Sequence, residues 1–345
     1  MKALIITPIY PAAESPAIGT FVKTQVESLR QAGVEVDVLH LCGRSRKWNY
    51  LKAAFQLRRR LGENAIDLVH AHIGFAGMVA RTQRQVPVVV TFHGSDLLGL
   101  INEQGKTAFL SPLVVRAGKM LARHVDAAIV QNCKMAALLN NAPNVFVISC
   151  EIDLNTFRPV EKNQARAALG LNQDRKYLLF AANPQIAVKR FPLAQAVAEE
   201  LKRRDGSTEL LVVYKEPQDR LALFLNACDA LVFTSYQEGS PNIVKQAMAC
   251  NLPIVSTDVG DVREVLADAK GCYVCDADVD AFVKPLESIL AGRERTEGRA
   301  KVEHLSRPFV AREIIRVYEQ VLGKRSSQVQ ERNQTGVLIP DKRTQ

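Results

Sequence analysis

Short apolar, β-branched runs recur along the chain, separated by longer stretches with helical periodicity. The first series is Ala3–Thr7, Val34–Leu41, Asp67–His72, Val86–Phe92, Ala127–Val130 and Val145–Ser149. A second follows with Tyr177–Ala182, Leu210–Tyr214, Ala230–Thr234, Pro253–Thr257 and Cys272–Cys275. Strands that alternate with helices predict an α/β chain, here with two Rossmann-like, doubly wound parallel sheets. Between the two series lies Glu151–Pro159, which is polar, aperiodic and ends in proline, and so reads as the linker. The expected domains are 1–155 and 156–322. The second ends in an amphipathic helix marked by Val310, Ile314, Ile315, Tyr318, Val321 and Leu322. Residues 323–345 are polar, and are expected to form a disordered tail.

A length of 345 residues with 47% hydrophobic content is enough for two separate cores. The longest apolar runs, such as Val86–Phe92, are strand-sized and well short of the ~20 residues of a membrane span. Pro8, Pro11, Glu14 and Pro16 interrupt the N-terminus before any export-type apolar region, so it reads as a mature first strand. The seven cysteines then fit a reducing, cytoplasmic setting in which most serve as small buried hydrophobes. Cys272 and Cys275 form one C-x-x-C without the second ligand pair that a structural zinc requires. A net charge of +9 suits nucleic acid, an acidic membrane surface or a phosphorylated substrate. Aromatic content of 6%, and no zinc-finger, helix-turn-helix or RNA-binding pattern, argue against nucleic acid.

In open parallel sheets, ligands bind beyond the carboxyl ends of the strands, so two such sheets facing across a cleft would place their chemistry in the loops that follow strands. The most informative stretch is Ala230–Ala249, a buried strand, a short loop and a helix. Ser240 suits the N-cap and Pro241 the first turn, so the helix is expected to begin just after Glu238 and Gly239. Free N–H groups of Asn242, Ile243 and Val244 would then favour an anion such as pyrophosphate, and Gly239 would let it approach the backbone. On spacing alone, Ser-Pro reads equally well as a plain helix start and Glu238 as a solvated loop acid. Lys189 and Arg190, in the loop after Tyr177–Ala182, likewise read in isolation as solvated basic residues.

These segments resemble the group 1 (family 4) glycosyltransferases over nearly the whole chain to about residue 322, and are similar in particular to transferases of envelope polysaccharides such as teichuronic acid. The hallmark of that family is a Glu, seven residues and a second Glu, set in a strand, Glu-Gly and helix frame. This chain has the frame, with Glu238 first and Gln246 in the second acidic position. The resemblance implies the GT-B fold and transfer of a sugar, with retention, from a nucleotide diphosphate donor to a hydroxyl of a glycan or lipid-linked acceptor. It places Glu238 and His93 beside the donor sugar. Gln246 falls at the ribose, where a neutral hydrogen bond replaces a charge-assisted one at a cost on the order of 1 kcal/mol. Lys189 falls at the departing diphosphate; Asn183 stands where the family often has Arg, and Arg190 is a substitute cation. Gly19 matches a close approach to donor phosphate, with Gly239, Ser240, Asn242, Ile243 and Val244 completing the donor set. The catalytic group implied is Glu238, Lys189 and His93, with no metal and no cofactor.

Two other features take a plainer reading. His70 and His72 share a strand face and lack a third metal ligand. Asp276 and Asp278 flank an alanine in a D-x-D triplet, but follow a late strand where acids serve as turn and cap groups. The stretch 44–60 mixes basic residues with aromatics; Arg46, Lys47, Trp48, Arg58 and Arg59 would suit an acidic acceptor or the inner face of a membrane, or simply a surface helix packed on the first sheet. Gln246 and Asn183 leave open a catalytically silent nucleotide-sugar-binding partner in an envelope assembly, and a GT-B epimerase is a separate alternative.

Overall fold

The computed structural model of the protein describes residues 1–11, 18–41, 48–102, 105–292 and 294–335, without the side chains of 48–51 and 326–335. All eleven expected strands form. The first six are β1 (Lys2–Thr7), β2 (Glu35–His40), β3 (Leu68–His72), β4 (Val88–Phe92), β5 (Ala127–Val130) and β6 (Val145–Val147). They build one all-parallel sheet in the order β2-β1-β3-β4-β5-β6. The helices between them are α1 (Thr20–Gln31), α2 (Trp48–Glu63), α3 (Gly74–Ala80), α4 (Ser95–Leu98), α5 (Ser111–His124) and α6 (Cys133–Ala137).

The second sheet is also all parallel and contains β7 (Lys176–Phe180), β8 (Thr208–Val212), β9 (Ala230–Phe233), β10 (Ile254–Thr257) and β11 (Cys272–Cys275), ordered β11-β10-β9-β7-β8. Its helices are α7 (Lys162–Leu169), α8 (Phe191–Asp205), α9 (Gln218–Ala227), α10 (Asn242–Ala249), α11 (Val262–Leu266), α12 (Val279–Gly292) and α13 (Gly298–Val302). Last comes α14 (Arg307–Thr335). Strands β3, β4, β5, β9 and β10 are buried at every position, which is why they read as continuous apolar runs.

Each sheet carries two apolar layers. In the first, Leu4, Val69 and Val90 meet α2, α3 and α5 on one face, while Ala3, Ile5 and Val89 meet α1 and α14 on the other. In the second, Leu179 and Leu231 face α9 and α10, and Leu178 and Val232 face α8 and α12.

The chain divides into two compact units: Met1–Leu98, Pro112–Ser149 and Pro308–Gln345 form one, and Gly99–Ser111 with Cys150–Arg307 form the other. Two features differ from the sequence reading. The closing helix groups with the first unit, because Val310, Ala311, Ile314, Val317, Tyr318 and Val321 present one stripe to the β1 side of that sheet. That helix also runs past Gly323 to Thr335, where an unstructured tail was expected. Lys324 Nζ donates to Asn144 Oδ1 at 2.9 Å and Arg325 to the carbonyls of Arg84 and Gln85 at 2.8 and 2.6 Å, so the polar residues just after Gly323 are anchored by hydrogen bonds. Residues 336–345 lie outside the described residues.

Candidate functional site

In the second unit, strand order reverses around β7, which lies between β9 and β8, so the loops after β7 and β9 open at a topological switch point. Those loops carry Lys189 and Glu238. Lys189 ends a single 3₁₀ turn, Ala187–Lys189, and Glu238 lies between β9 and α10. Three hydrogen bonds tie the loops together. Tyr236 N–H donates to the Val188 carbonyl at 2.8 Å, and Thr234 Oγ1 donates to the carbonyls of Lys189 and Arg190 at 2.9 and 3.1 Å. Lys189 Nζ thereby meets Glu238 Oε1 at 2.6 Å, with Ser235 Oγ donating to the same oxygen at 2.9 Å. Arg190 adopts a left-handed backbone (φ 52°); its guanidinium lies 4.7 Å from the Tyr236 ring centroid and donates to the Ala277 carbonyl at 2.9 Å. Two cations and one carboxylate are thus fixed at the ends of adjacent strands.

The helix start differs from the sequence reading. Helix α10 begins at Asn242 with Pro241 in the cap position and no side-chain cap. Ser240 does not cap it because its hydroxyl is already engaged, donating to Asp261 Oδ2 and accepting from Lys245 Nζ. Lys245 is 0% exposed, with Nζ 3.8 Å from Asp261 Oδ2. Removing one partner would strand a buried charge, so this cluster locks the Gly239–Pro241 turn onto α10. Val244 N–H donates to the Pro241 carbonyl at 3.2 Å, so it is not one of the free amides expected. Those of Asn242 and Ile243 remain first-turn donors without an intrahelical partner. Gly239 is held close from below: a Cβ on Gly260 (φ +58°) would lie 2.5 Å from its carbonyl oxygen. Gln246 is half-buried on the same helix. Asn183 Oδ1 accepts from Gln185 N–H at 3.0 Å, shaping the start of the Lys189 loop.

The first unit brings together His93, His72 and His70. His93 Nε2 lies 3.0 Å from His72 Nδ1, and the rings stack at 5.3 Å; His72 stacks on His70 at 4.6 Å. His70 is held on both nitrogens, by Tyr318 Oη at 2.6 Å and Thr91 Oγ1 at 2.7 Å. Burial pushes His70 down to about 3 and His93 to about 4, and holds His72 well below its ordinary value, so all three are neutral at pH 7. Asp96 accepts from His93 N–H and Gly74 N–H at 3.2 Å each, fixing the loop after β4. Gly19 (φ +74°) precedes α1, and a Cβ there would lie 2.6 Å from the Ile9 carbonyl, so the chain's own backbone already requires this glycine.

The remaining candidates are dispersed. Arg58 donates to the Thr82 carbonyl at 3.1 Å and Arg59 pairs with Glu63 at 2.7 Å, both on the outer side of α2. Arg46 and Lys47 lie outside the described residues, as does the Trp48 side chain. Cys272 and Cys275 are three apart on β11 and so point to opposite faces, with burial raising both thiols. Asp278 Oδ1 accepts from Ala281 N–H at 3.0 Å, a turn role at the start of α12.

Family models match both halves of this chain. The glycosyl transferase 4-like domain matches residues 5–147, and the glycosyl transferases group 1 domain residues 170–292, together most of its length. The chain belongs to the group 1 glycosyltransferase superfamily. It is 25% identical to TuaC of Bacillus subtilis (strain 168), named as a teichuronic acid biosynthesis glycosyltransferase, over 77% of this chain and 83% of that one. It is 27% identical to a D-inositol 3-phosphate glycosyltransferase of Mycobacterium marinum (strain ATCC BAA-535 / M) over 69% of this chain, and spans only 59% of that relative's length. Sucrose-phosphate synthase from Thermosynechococcus elongatus shares the GT-B fold at a TM-score of 0.79 and 19% identity, covering 94% of this chain and 100% of that one. Anabaena HepE, solved with UDP, does so at 0.62 and 15%, covering 95% and 100%.

In this group 1 glycosyltransferase, the frame from β9 to α10 carries Glu238 in its loop and Gln246 on its helix. Three features were hidden from sequence reasoning. Tyr236 becomes a platform for Arg190, a contact between residues 46 apart in the sequence for which no local pattern exists. Lys245 and Asp261 form a buried cluster between elements 16 residues apart in the sequence. Residues Gly99–Ser111 leave the first unit and dock beside the site, where Gln237 Nε2 donates to the Gly99 carbonyl at 2.9 Å and Gly105 abuts the Tyr236 ring.

Proposed function

We propose that this glycosyltransferase moves a sugar, with retention, from a nucleotide diphosphate sugar to a hydroxyl of a glycan or lipid-linked acceptor in bacterial cell-envelope or exopolysaccharide synthesis. The observation that carries this reading is the Lys189–Glu238 pair at 2.6 Å, at the ends of the two strands flanking the switch point and next to the first turn of α10. Lys189, Arg190 and the amides of Asn242 and Ile243 stabilise the diphosphate as the glycosidic bond breaks. The acceptor oxygen bonds the anomeric carbon on the same face, its proton passes to the leaving phosphate, and the nucleoside diphosphate departs. Glu238 and neutral His93 orient the sugar, Gly19 and Gly239 admit phosphate close to the backbone, and Gln246 meets the ribose. The fixed cations take the charge-neutralising role, so no metal is required.

The UDP complex of HepE and the name of TuaC support a nucleotide-sugar donor and an envelope acceptor. No helix among the described residues is long and apolar enough to cross a membrane. The protein works in the cytoplasm, peripheral to the inner face of the cell membrane. Calorimetric titration with UDP-, GDP- and ADP-sugars in chelator tests the site. One preferred donor should bind, and Lys189→Ala should weaken it about tenfold or more, the loss of a charge-assisted contact to phosphate. Binding that needs a divalent metal, or is untouched by Lys189→Ala, overturns the assignment. Gln246 favours one second reading, a silent donor-binding partner, which would show donor binding without transfer and a gain of turnover in Gln246→Glu.

A further inference from the structure

The first unit holds an apolar cavity of about 200 Å³ between α3 and α5, walled by Phe75, Met78, Leu113, Val114 and Ala117. A dry apolar cavity of ~150 Å³ already takes a benzene-sized guest. Asp96, the one acid in the lining, turns its carboxylate to the backbone N–H groups of Gly74 and His93. Gly118 lets α5 lie directly on that loop, since a Cβ there would sit 2.5 Å from the Asp96 carbonyl oxygen. The cavity is therefore built for hydrocarbon.

Its rim continues the same chemistry. Phe75 and Met78, one helical turn apart, are 48% and 38% exposed; Leu113 and Met120, two turns apart, are 66% and 59% exposed. Helices α2, α3 and α5 all pack on one face of the first sheet, so their outer sides form one layer. Phe55 adds a fifth exposed apolar side chain from α2, 73% exposed. Among these apolar groups, residues 52–63, 74–80 and 111–124 carry seven lysines and arginines: Lys52, Arg58, Arg59 and Arg60 on α2, and Arg116, Lys119 and Arg123 on α5. The same spans hold one acid, Glu63, which Arg59 already pairs. Large apolar groups left in water mark an interaction surface, and a cationic setting selects an anionic partner.

We propose that this helix layer docks on an anionic phospholipid bilayer, with Phe75, Met78, Leu113 and Met120 among the acyl chains and one chain entering the α3–α5 cavity. The inference rests on the peripheral-membrane part of the function proposed above and supplies the surface that carries it. Asp96 touches both the cavity lining and the His93 backbone, so the docked face adjoins the loop that bears a proposed catalytic residue.

The test is co-sedimentation of the full chain with phosphatidylcholine vesicles, with and without about one third phosphatidylglycerol. Binding should require phosphatidylglycerol and fall with salt. The double variant Met78→Gln/Leu113→Gln, at two exposed positions, should lose about tenfold in partitioning while keeping wild-type circular dichroism and donor binding. A phosphatidylglycerol bearing a diazirine on its acyl chain should label peptides within 74–80 and 111–124. No binding by the wild type would remove both the docking face and the membrane part of the functional reading. Wild-type binding retained in the double variant, labelling elsewhere, or a lipid-free dimer that the double variant dissociates would overturn the docking face alone.

Discussion

His70 and His72 on β3 and His93 just after β4 stack ring on ring, and their burial gives the first unit a defined response to acid. An unfolded imidazole takes its proton near pH 6.5, whereas His70 and His93 resist it down to about 3 and 4 in the native chain. Between those limits the unfolded state binds more protons, so stability rises with pH and is lost as pH falls below about 6.5. The steepest slope is about 1.4 kcal/mol per pH unit for each histidine. Urea unfolding followed at pH 7 and pH 5 should show a clearly lower midpoint at pH 5, and His72→Gln should reduce the difference. Identical midpoints would mean that the stack is hydrated and titrates normally. Glu200, which Arg203 and Arg204 hold near 2, is ionised in the native chain and largely ionised in the unfolded chain at both pH 5 and pH 7, so it adds little to the comparison.

At the scale of elements, the turn between β10 and α11 supports the loop between β9 and α10 from beneath. Gly260→Ala would introduce both a strained positive φ and a clash with the Gly239 carbonyl, and should cost about 2 kcal/mol or more of stability. Since Gly239 follows Glu238, donor affinity should fall with it. A Gly260→Ala chain with wild-type urea midpoint and donor titration would refute the supporting role. Strands were legible because both-face burial writes itself as an apolar run, and α10 because an apolar stripe follows a turn signal. Ser240 misled because its competing partner, Asp261, lies 21 residues away on another element. The Gly99–Ser111 excursion was not legible because leaving a unit has no compositional mark. Within the second unit, the sequence marked Lys189 and Glu238 as residues of loops that follow strands, and the structure pairs them at 2.6 Å; the hydrogen bonds of Tyr236 and Thr234 that hold those loops were visible only in three dimensions.

Across the whole molecule, α14 is the last described element, yet it completes the first core. Tyr318 is fully buried and donates to or accepts from His70, and Val310, Ile314 and Val317 cover the sheet face opposite α3 and α5. A chain ending at Arg307 should therefore lose hydrogen-exchange protection through β1 to β5 while β7 to β11 keep theirs. Unchanged protection in β1 to β5 would show that the first unit closes without α14.

This connectivity also bears on synthesis. Domains usually fold in order as they leave the ribosome, but here Ser149 emerges long before Val321, the last buried residue of the covering stripe. At roughly 5–20 residues per second, the first sheet waits on the order of ten to thirty seconds with one apolar face uncovered. A nascent chain in that condition is a natural client for chaperones, and stalling anywhere in the second half would leave a sticky, unfinished first half rather than a folded one.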